Sequence, residues 1–180
     1  GLSYALQLPD AEIAAVRHSP LSEVTAVASD MIRETPGQIS NYPMSEYGEL
    51  PKQVGLYFDA GAVSPVHRFA GELAPFTYLE YVTGALPSRL VDDPRVLVLG
   101  AGGGGEVLAA LVHGARHVTA VEVEPAVFDL VNGPLHEISG GLFDRPDVTP
   151  VLAEGRGYLD AHDTRYDLLQ APLFGSYSAA

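Results

Sequence analysis

The residues best suited to chemistry lie in the segment Gly100-Ala101-Gly102-Gly103-Gly104-Gly105. Gly100, Gly102 and Gly105 satisfy G-x-G-x-x-G, and Gly103 and Gly104 complete a backbone almost free of side chains. Such a turn lets a ligand approach the main chain where a following helix presents free N–H groups. A plain strand-to-helix turn with glycine for close packing meets the same pattern, so the turn needs companions. Glu122 is the first: an acidic residue at the end of the next strand can accept hydrogen bonds from ribose hydroxyls, with Val123 beside it. Glu154 and Gly155, just past a third strand, are the second. A carboxylate there could accept from an adenine amino group, or partner the N-terminal dipole of the short helix that follows. Glu124, before Pro125, reads either as part of the site or as a helix cap.

These residues need a scaffold of alternating strands and helices. The run 96–99 is continuously apolar, as a strand covered on both faces should be. Residues 106–113 follow as helix, 117–121 as strand and 125–130 as helix, with Gly133-Pro134 as a break. Strand 148–152, helix 155–161 and strand 166–170 complete the series, so a parallel sheet of βαβ units is expected. Ahead of it, residues 75–86 read as a helix opened by Pro75 and closed by Pro87. Residues 1–63 are rich in turn formers, with strands at 24–27 and 54–58 and turn signals at Thr35-Pro36-Gly37 and Asn41-Tyr42-Pro43. The expected organisation is a small antiparallel β domain over residues 1–63 and a Rossmann-like domain over residues 64–180.

Composition narrows the ligand. Ten Lys and Arg against 23 Asp and Glu give a net charge of −13, with a pI near 4.6. Such a chain repels phosphate backbones and anionic lipid, so neither nucleic-acid nor membrane binding is expected, while a cationic small molecule is favoured. The chain has no cysteine, which removes thiolate metal sites and thiol nucleophiles. No run reaches the roughly 18 apolar residues of a membrane span, and a cytoplasmic location is expected. His18 and His67 fall in loop-like segments without partners at ligand spacing, so no metal site is expected. His113 reads as a partner of a helix C-terminus.

An adenosine-containing ligand fits three such features at three strand ends. A nicotinamide dinucleotide and S-adenosylmethionine both suit this plan. The late position of the turn and the Glu-x-Glu-Pro continuation at residues 122–125 favour S-adenosylmethionine.

Over roughly residues 18–174 the chain resembles the spermidine/spermine synthase family, aminopropyltransferases built on the class I methyltransferase fold. Gly100–Gly105 is similar to the family's G-G-G-[DE]-G-G turn, Val121-Glu122-Val123-Glu124 to its acidic strand end and Ala153-Glu154-Gly155 to its G-D-[GA]. Tyr78-Leu79-Glu80 resembles its Tyr-His-Glu helix, Tyr166-Asp167-Leu168-Leu169 its fourth strand, and Leu56-Tyr57-Phe58-Asp59 its N-terminal domain.

The resemblance implies binding of S-adenosylmethionine, its decarboxylated form or a related thionucleoside. Tyr78 and Gln170 are then candidates for substrate contact, although Tyr78 also reads as a packing residue and Gln170 as a buried strand residue. Pro172 stands where the family's aspartate base would be, Gly103 replaces the acidic residue of the turn, Leu79 replaces the helix histidine, and Leu21-Ser22 replaces a Tyr-Gln pair. No catalytic residue can therefore be named, and altered or absent aminopropyl transfer is expected. A small-molecule methyltransferase and a non-catalytic nucleotide-binding or interaction module are the alternatives. Both ends of the sequence read as cut, the strand order expected is 3-2-1-4, and the strand at 166–170 would be an edge. A homo-oligomer, or a place in a longer chain, would cover it.

Overall fold

A computed structural model describes residues 1–34 and 50–172; the turn signals at 35–37 and 41–43 and the stretch 173–175 lie outside them. After a short helix, α1 (Leu2–Ala5), come four strands: β1 (Glu12–His18), β2 (Glu23–Ala28), β3 (Gln53–Phe58) and β4 (Ala62–His67). They form one antiparallel sheet in the order β1-β2-β3-β4. Local chemistry sets both tight hairpins. Between β1 and β2 the Ser19 hydroxyl oxygen accepts from the amides of Leu21 (2.9 Å) and Ser22 (3.2 Å). Between β3 and β4, Asp59 and Ala60 take positive φ values of 45° and 60°. Two such residues in succession, closed by the Gly61 amide donating to the Phe58 carbonyl (2.8 Å), make a turn whose twist matches that of the strands.

The second sheet is parallel and ordered β7-β6-β5-β8, which is the expected 3-2-1-4. Its strands are β5 (Arg95–Leu99), β6 (His117–Glu122), β7 (Val148–Leu152) and β8 (Leu168–Gln170). Helix α2 (Gly105–Val112) links β5 to β6. Helices α3 (Pro125–Val131) and α4 (His136–Ser139) link β6 to β7, and α5 (Gly155–Ala161) follows β7. The break expected at Gly133-Pro134 separates α3 from α4. Among the described residues β8 has no partner on its outer side, and Leu169 there is 53% exposed.

Three sequence expectations change. The boundary after residue 63 falls inside β4, which pairs with β3 from Ala62↔Phe58 to His67↔Gln53, so the antiparallel sheet extends to His67. Ser64 and Pro65 hid this strand, since neither favours one; Pro65 is tolerated because β4 is an edge. The helix expected over 75–86 is instead a chain of 3₁₀ turns at Ala74–Tyr81 and Thr83–Ala85, followed by a third at Pro87–Arg89. Val82 between the first two is extended, with ψ at 152°. Phe76, Tyr78, Leu79, Val82 and Ala85 are all buried. On one α-helix those five positions would spread over half its circumference, and broken turns bring them all to one core. Last, β1 was not anticipated; its residues are mostly exposed, so no apolar alternation marked it.

The two sheets share that core. Val24, Ala26, Val54, Leu56 and Val66 of the antiparallel sheet join Val96 and Val98 of β5, Val107 and Leu108 of α2, and Leu142 and Phe143 in one buried cluster. We predict that Leu56→Ala, at a fully buried position, costs about 2–5 kcal/mol. Because the core is common, far-ultraviolet dichroism and tyrosine fluorescence should report one coincident denaturant transition in wild type and variant. Separate transitions would show that the sheets are stabilised independently.

Candidate functional site

The carboxyl ends of β5, β6 and β7 bring together the glycine turn, Glu122 and the Ala153-Glu154-Gly155 segment. Glu122 is the hub. Only 7% exposed, it accepts from the Gly102 amide through Oε2 (2.9 Å) and from the amides of Val123 (2.8 Å) and Glu124 (2.9 Å) through Oε1. A carboxylate offers about four acceptor positions, so the one left lies on Oε2. Val123, beside it, is 48% exposed.

Glu124 extends the arrangement to the antiparallel sheet. Its Oε1 accepts from the Ala126 amide (3.0 Å), capping α3. Its Oε2 accepts from the hydroxyls of Ser19 (2.9 Å) and Ser22 (2.7 Å) in the β1–β2 turn. The residue is 4% exposed, and all these donors compensate the cost of burying its charge. Of its two sequence readings, the structure supports the cap. Ser22 entered the sequence reading only as part of the pair replacing the family's Tyr-Gln, and Ser19 not at all, because nothing in the sequence links positions 19 and 22 to 124.

Glu154 is likewise an N-cap, accepting from the amides of Arg156 (3.1 Å) and Gly157 (2.8 Å) at the start of α5. The Gly157 and Arg156 amides hold its carboxyl below the ordinary carboxylate range. Gly155 lies against the Leu99 side chain.

The glycine turn is not an open cradle. Gly102, Gly103, Gly104 and Gly105 are buried and Gly100 is partly exposed. A Cβ at Gly103 would run into the Pro65 carbonyl, one at Gly102 would meet Ser64 Oγ, and one at Gly104 would press on Leu142 at 2.5 Å. The Gly103 amide donates to Ser64 Oγ (2.9 Å). Gly104 also needs its φ of 94° to enter α2. The space that a side chain would need at Gly102–Gly104 is therefore taken by β4 and Leu142.

Of Tyr78's two sequence readings, the structure supports packing. Its hydroxyl is buried against His67 Nε2, which also meets Gln53 Nε2 at 3.0 Å. His67 ends a strand rather than lying in a loop, is 1% exposed, and has no partner on Nδ1. Burial pushes its pKa down to about 4. Gln170 is half-buried, and its Oε1 is buried without a hydrogen-bond partner among the described residues. His113 Nδ1 lies 2.6 Å from the Ala109 carbonyl at the end of α2, where it was placed. Pro172 is described and supplies no titratable group. Among the described residues no group of His, Asp and Glu could hold a metal ion, and no helix is long and apolar enough to cross a membrane. Two clefts of about 270 and 250 Å³ lie along the antiparallel sheet, away from the glycine turn. In the first, Lys52 and Asp30 pair with each other at 2.7 Å.

A 3-2-1-4 parallel sheet with a glycine turn after its first strand and an acidic residue ending its second defines a Rossmann-like domain of the class I methyltransferase type, preceded by an antiparallel sheet. No protein-family signature matches the chain. In sequence it is 30% identical over 105 residues to a polyamine aminopropyltransferase of Korarchaeum cryptofilum, covering 57% of this chain and 33% of that protein. It is 26% identical over 144 residues to polyamine aminopropyltransferase 2 of Hyperthermus butylicus, covering 69% and 47%. In structure it superposes on spermidine synthase bound to the transition-state analogue AdoDATO with a TM-score of 0.60 at 18% identity, covering 89% of this chain and 47% of that one. For spermidine synthase from Thermotoga maritima the TM-score is 0.59, with 88% and 47% covered. The chain is similar in sequence to the polyamine aminopropyltransferases and in fold to spermidine synthase, and it spans between a third and a half of these relatives' lengths.

Two outcomes follow from the packing. Gly103→Ala should cost about 1–3 kcal/mol in denaturant unfolding, since the obstacle is the β4 main chain rather than a side chain able to rotate. His67 should make stability pH-dependent. With its folded pKa below the ordinary value of 6.5, its contribution is complete above that value and is lost as pH falls toward about 4. We expect wild type to lose about 2 kcal/mol more than His67→Gln between pH 7 and pH 5. Parallel losses in both proteins would mean that His67 does not titrate this way.

Proposed function

We propose that this domain binds decarboxylated S-adenosylmethionine, S-adenosylmethionine or a related thionucleoside at the carboxyl ends of β5, β6 and β7, with aminopropyl transfer altered or absent. The observation that carries this reading is Glu122: a buried carboxylate with three amides fixing its orientation and one acceptor position left for a ribose hydroxyl. Val123 offers exposed apolar surface for a purine next to it. Leu21 does the same from the hairpin that Glu124 holds in place. Gly100 and Gly155 bound the same strand ends, while Glu154 retains its capping role there. The names of the relatives and the fold of spermidine synthase support the ligand class.

The reading of transfer rests on Pro172. An amine attacking the carbon next to a sulfonium forms a C–N bond as the C–S bond breaks, and the nitrogen must then shed a proton. Proline at the position the resemblance gives to the base can accept none, which leaves positioning as the main source of any rate.

Calorimetric titration with methylthioadenosine tests the assignment. Glu122→Ala should weaken binding by about 1.5–3 kcal/mol, the range for hydrogen bonds to a charged group. Unchanged affinity would refute the ribose role, and absence of binding to wild type would refute the ligand class. With putrescine and decarboxylated S-adenosylmethionine supplied together, product formation should fall about 10²–10⁴-fold below an ordinary enzyme rate.

A further inference from the structure

The turn between α3 and α4 holds a pair of residues with a chemistry of their own. Asn132 ends α3, its backbone amide donating to the Phe128 carbonyl (2.9 Å), and Gly133 follows it. Both are exposed. The Asn132 side-chain amide has no hydrogen-bond partner among the described residues, and neither has the Gly133 N–H. Glycine is required at 133, because a Cβ there would stand 2.5 Å from the Asp129 carbonyl oxygen. The close approach that excludes a side chain also leaves the Gly133 nitrogen unshielded toward its neighbour.

An asparagine side chain can reach the nitrogen of the next residue through a five-membered ring. The Gly133 nitrogen gives its proton to hydroxide and attacks Cγ of Asn132. A C–N bond forms there, the bond to the side-chain nitrogen breaks, and ammonia leaves. Water then opens the succinimide at one carbonyl to give aspartate, or at the other to give isoaspartate, whose main chain runs through the extra methylene. One water is consumed and one ammonia released, with no cofactor or second protein. Asn132 stands at ψ −7°, so the ring closes only when the turn opens and that angle rotates. The bonds holding the turn beyond Asn132 are those of the Leu135 amide to the Leu130 carbonyl and the His136 amide to the Gly133 carbonyl, both 3.0 Å. Opening an exposed turn so lightly held costs little.

We propose that Asn132-Gly133 is a self-modification site, at which the chain's own backbone turns the neutral end of α3 into an anionic one and loosens that helix. The new carboxylate stands among the last carbonyls of α3, where the helix dipole repels it. It also lies one turn beyond Asp129, a like charge three residues away on the same surface. The isoaspartate product adds a methylene to the main chain where α3 hands over to α4. Glu124 caps the opposite end of α3, so the modification leaves the helix with one favourable terminus instead of two.

The test ages the intact chain in mildly alkaline buffer and follows residues 117–156 by tryptic peptide mass spectrometry. That segment holds a single side-chain amide, Asn132, so amide-to-acid conversion there has one source. Conversion in the folded chain should run within about tenfold of the rate in the same chain unfolded in urea, with isoaspartate among the products. A slower folded rate overturns the site. Asn132→Gln, which would need a six-membered ring, should show no conversion over the same period, and conversion equal to wild type would overturn the mechanism. Asn132→Asp carries the product's charge from the start. Hydrogen exchange of its α3 amides should be about two- to fivefold faster than in freshly prepared wild type. Equal exchange in the two proteins would overturn the effect on α3.

Discussion

One buried carboxylate fixes the geometry on which the rest depends. Glu122 joins the end of β6 to the glycine turn after β5 through Gly102, and to the start of α3 through Val123 and Glu124. Without that acceptor, three amides of two loops would lose their hydrogen-bond partner. Glu124 continues the chain of bonds, capping α3 with one oxygen and holding the β1–β2 turn with the other. Two acidic residues separated by one position thus tie together three loops, one helix and the second sheet. A carboxylate in this role is both structural and available, because backbone donors set its orientation without exhausting its lone pairs.

The antiparallel sheet completes the enclosure from the other side. Ser64 and Pro65 of β4 lie directly on Gly102 and Gly103, and the Ser64 hydroxyl accepts from the turn. The absence of side chains in the turn therefore serves contact between the two sheets.

Much of this was legible in the sequence, for identifiable reasons. Strands β5, β6 and β7 are marked by β-branched or apolar runs, the position of Glu122 follows from the glycine turn and the spacing after it, and the strand order is what the family resemblance implies. Residues whose roles depend on distant partners could not be read. Ser19 and Ser22 look like ordinary turn formers until Glu124 is brought beside them. His67 lies in a polar, proline-containing stretch, and only the pairing of β4 with Gln53 and the packing of Tyr78 show that it is buried. The packing of Tyr78 was legible but its setting was not, because a helical pattern was read where 3₁₀ turns send Phe76, Tyr78 and Leu79 inward.

The bonds from Ser19 and Ser22 to Glu124 span 105 and 102 residues of chain. Contacts so remote in sequence close a large loop before they return any stability, and topologies rich in them fold slowly. During synthesis the first four strands emerge well before the surfaces that cover them, which are supplied by residues between Val96 and Phe143. Val24, Ala26, Leu56 and Val66 then present an apolar sheet face to water throughout that interval. A nascent chain in that state is a substrate for chaperones and a risk for aggregation, and the speed of translation through the parallel sheet sets how long the exposure lasts.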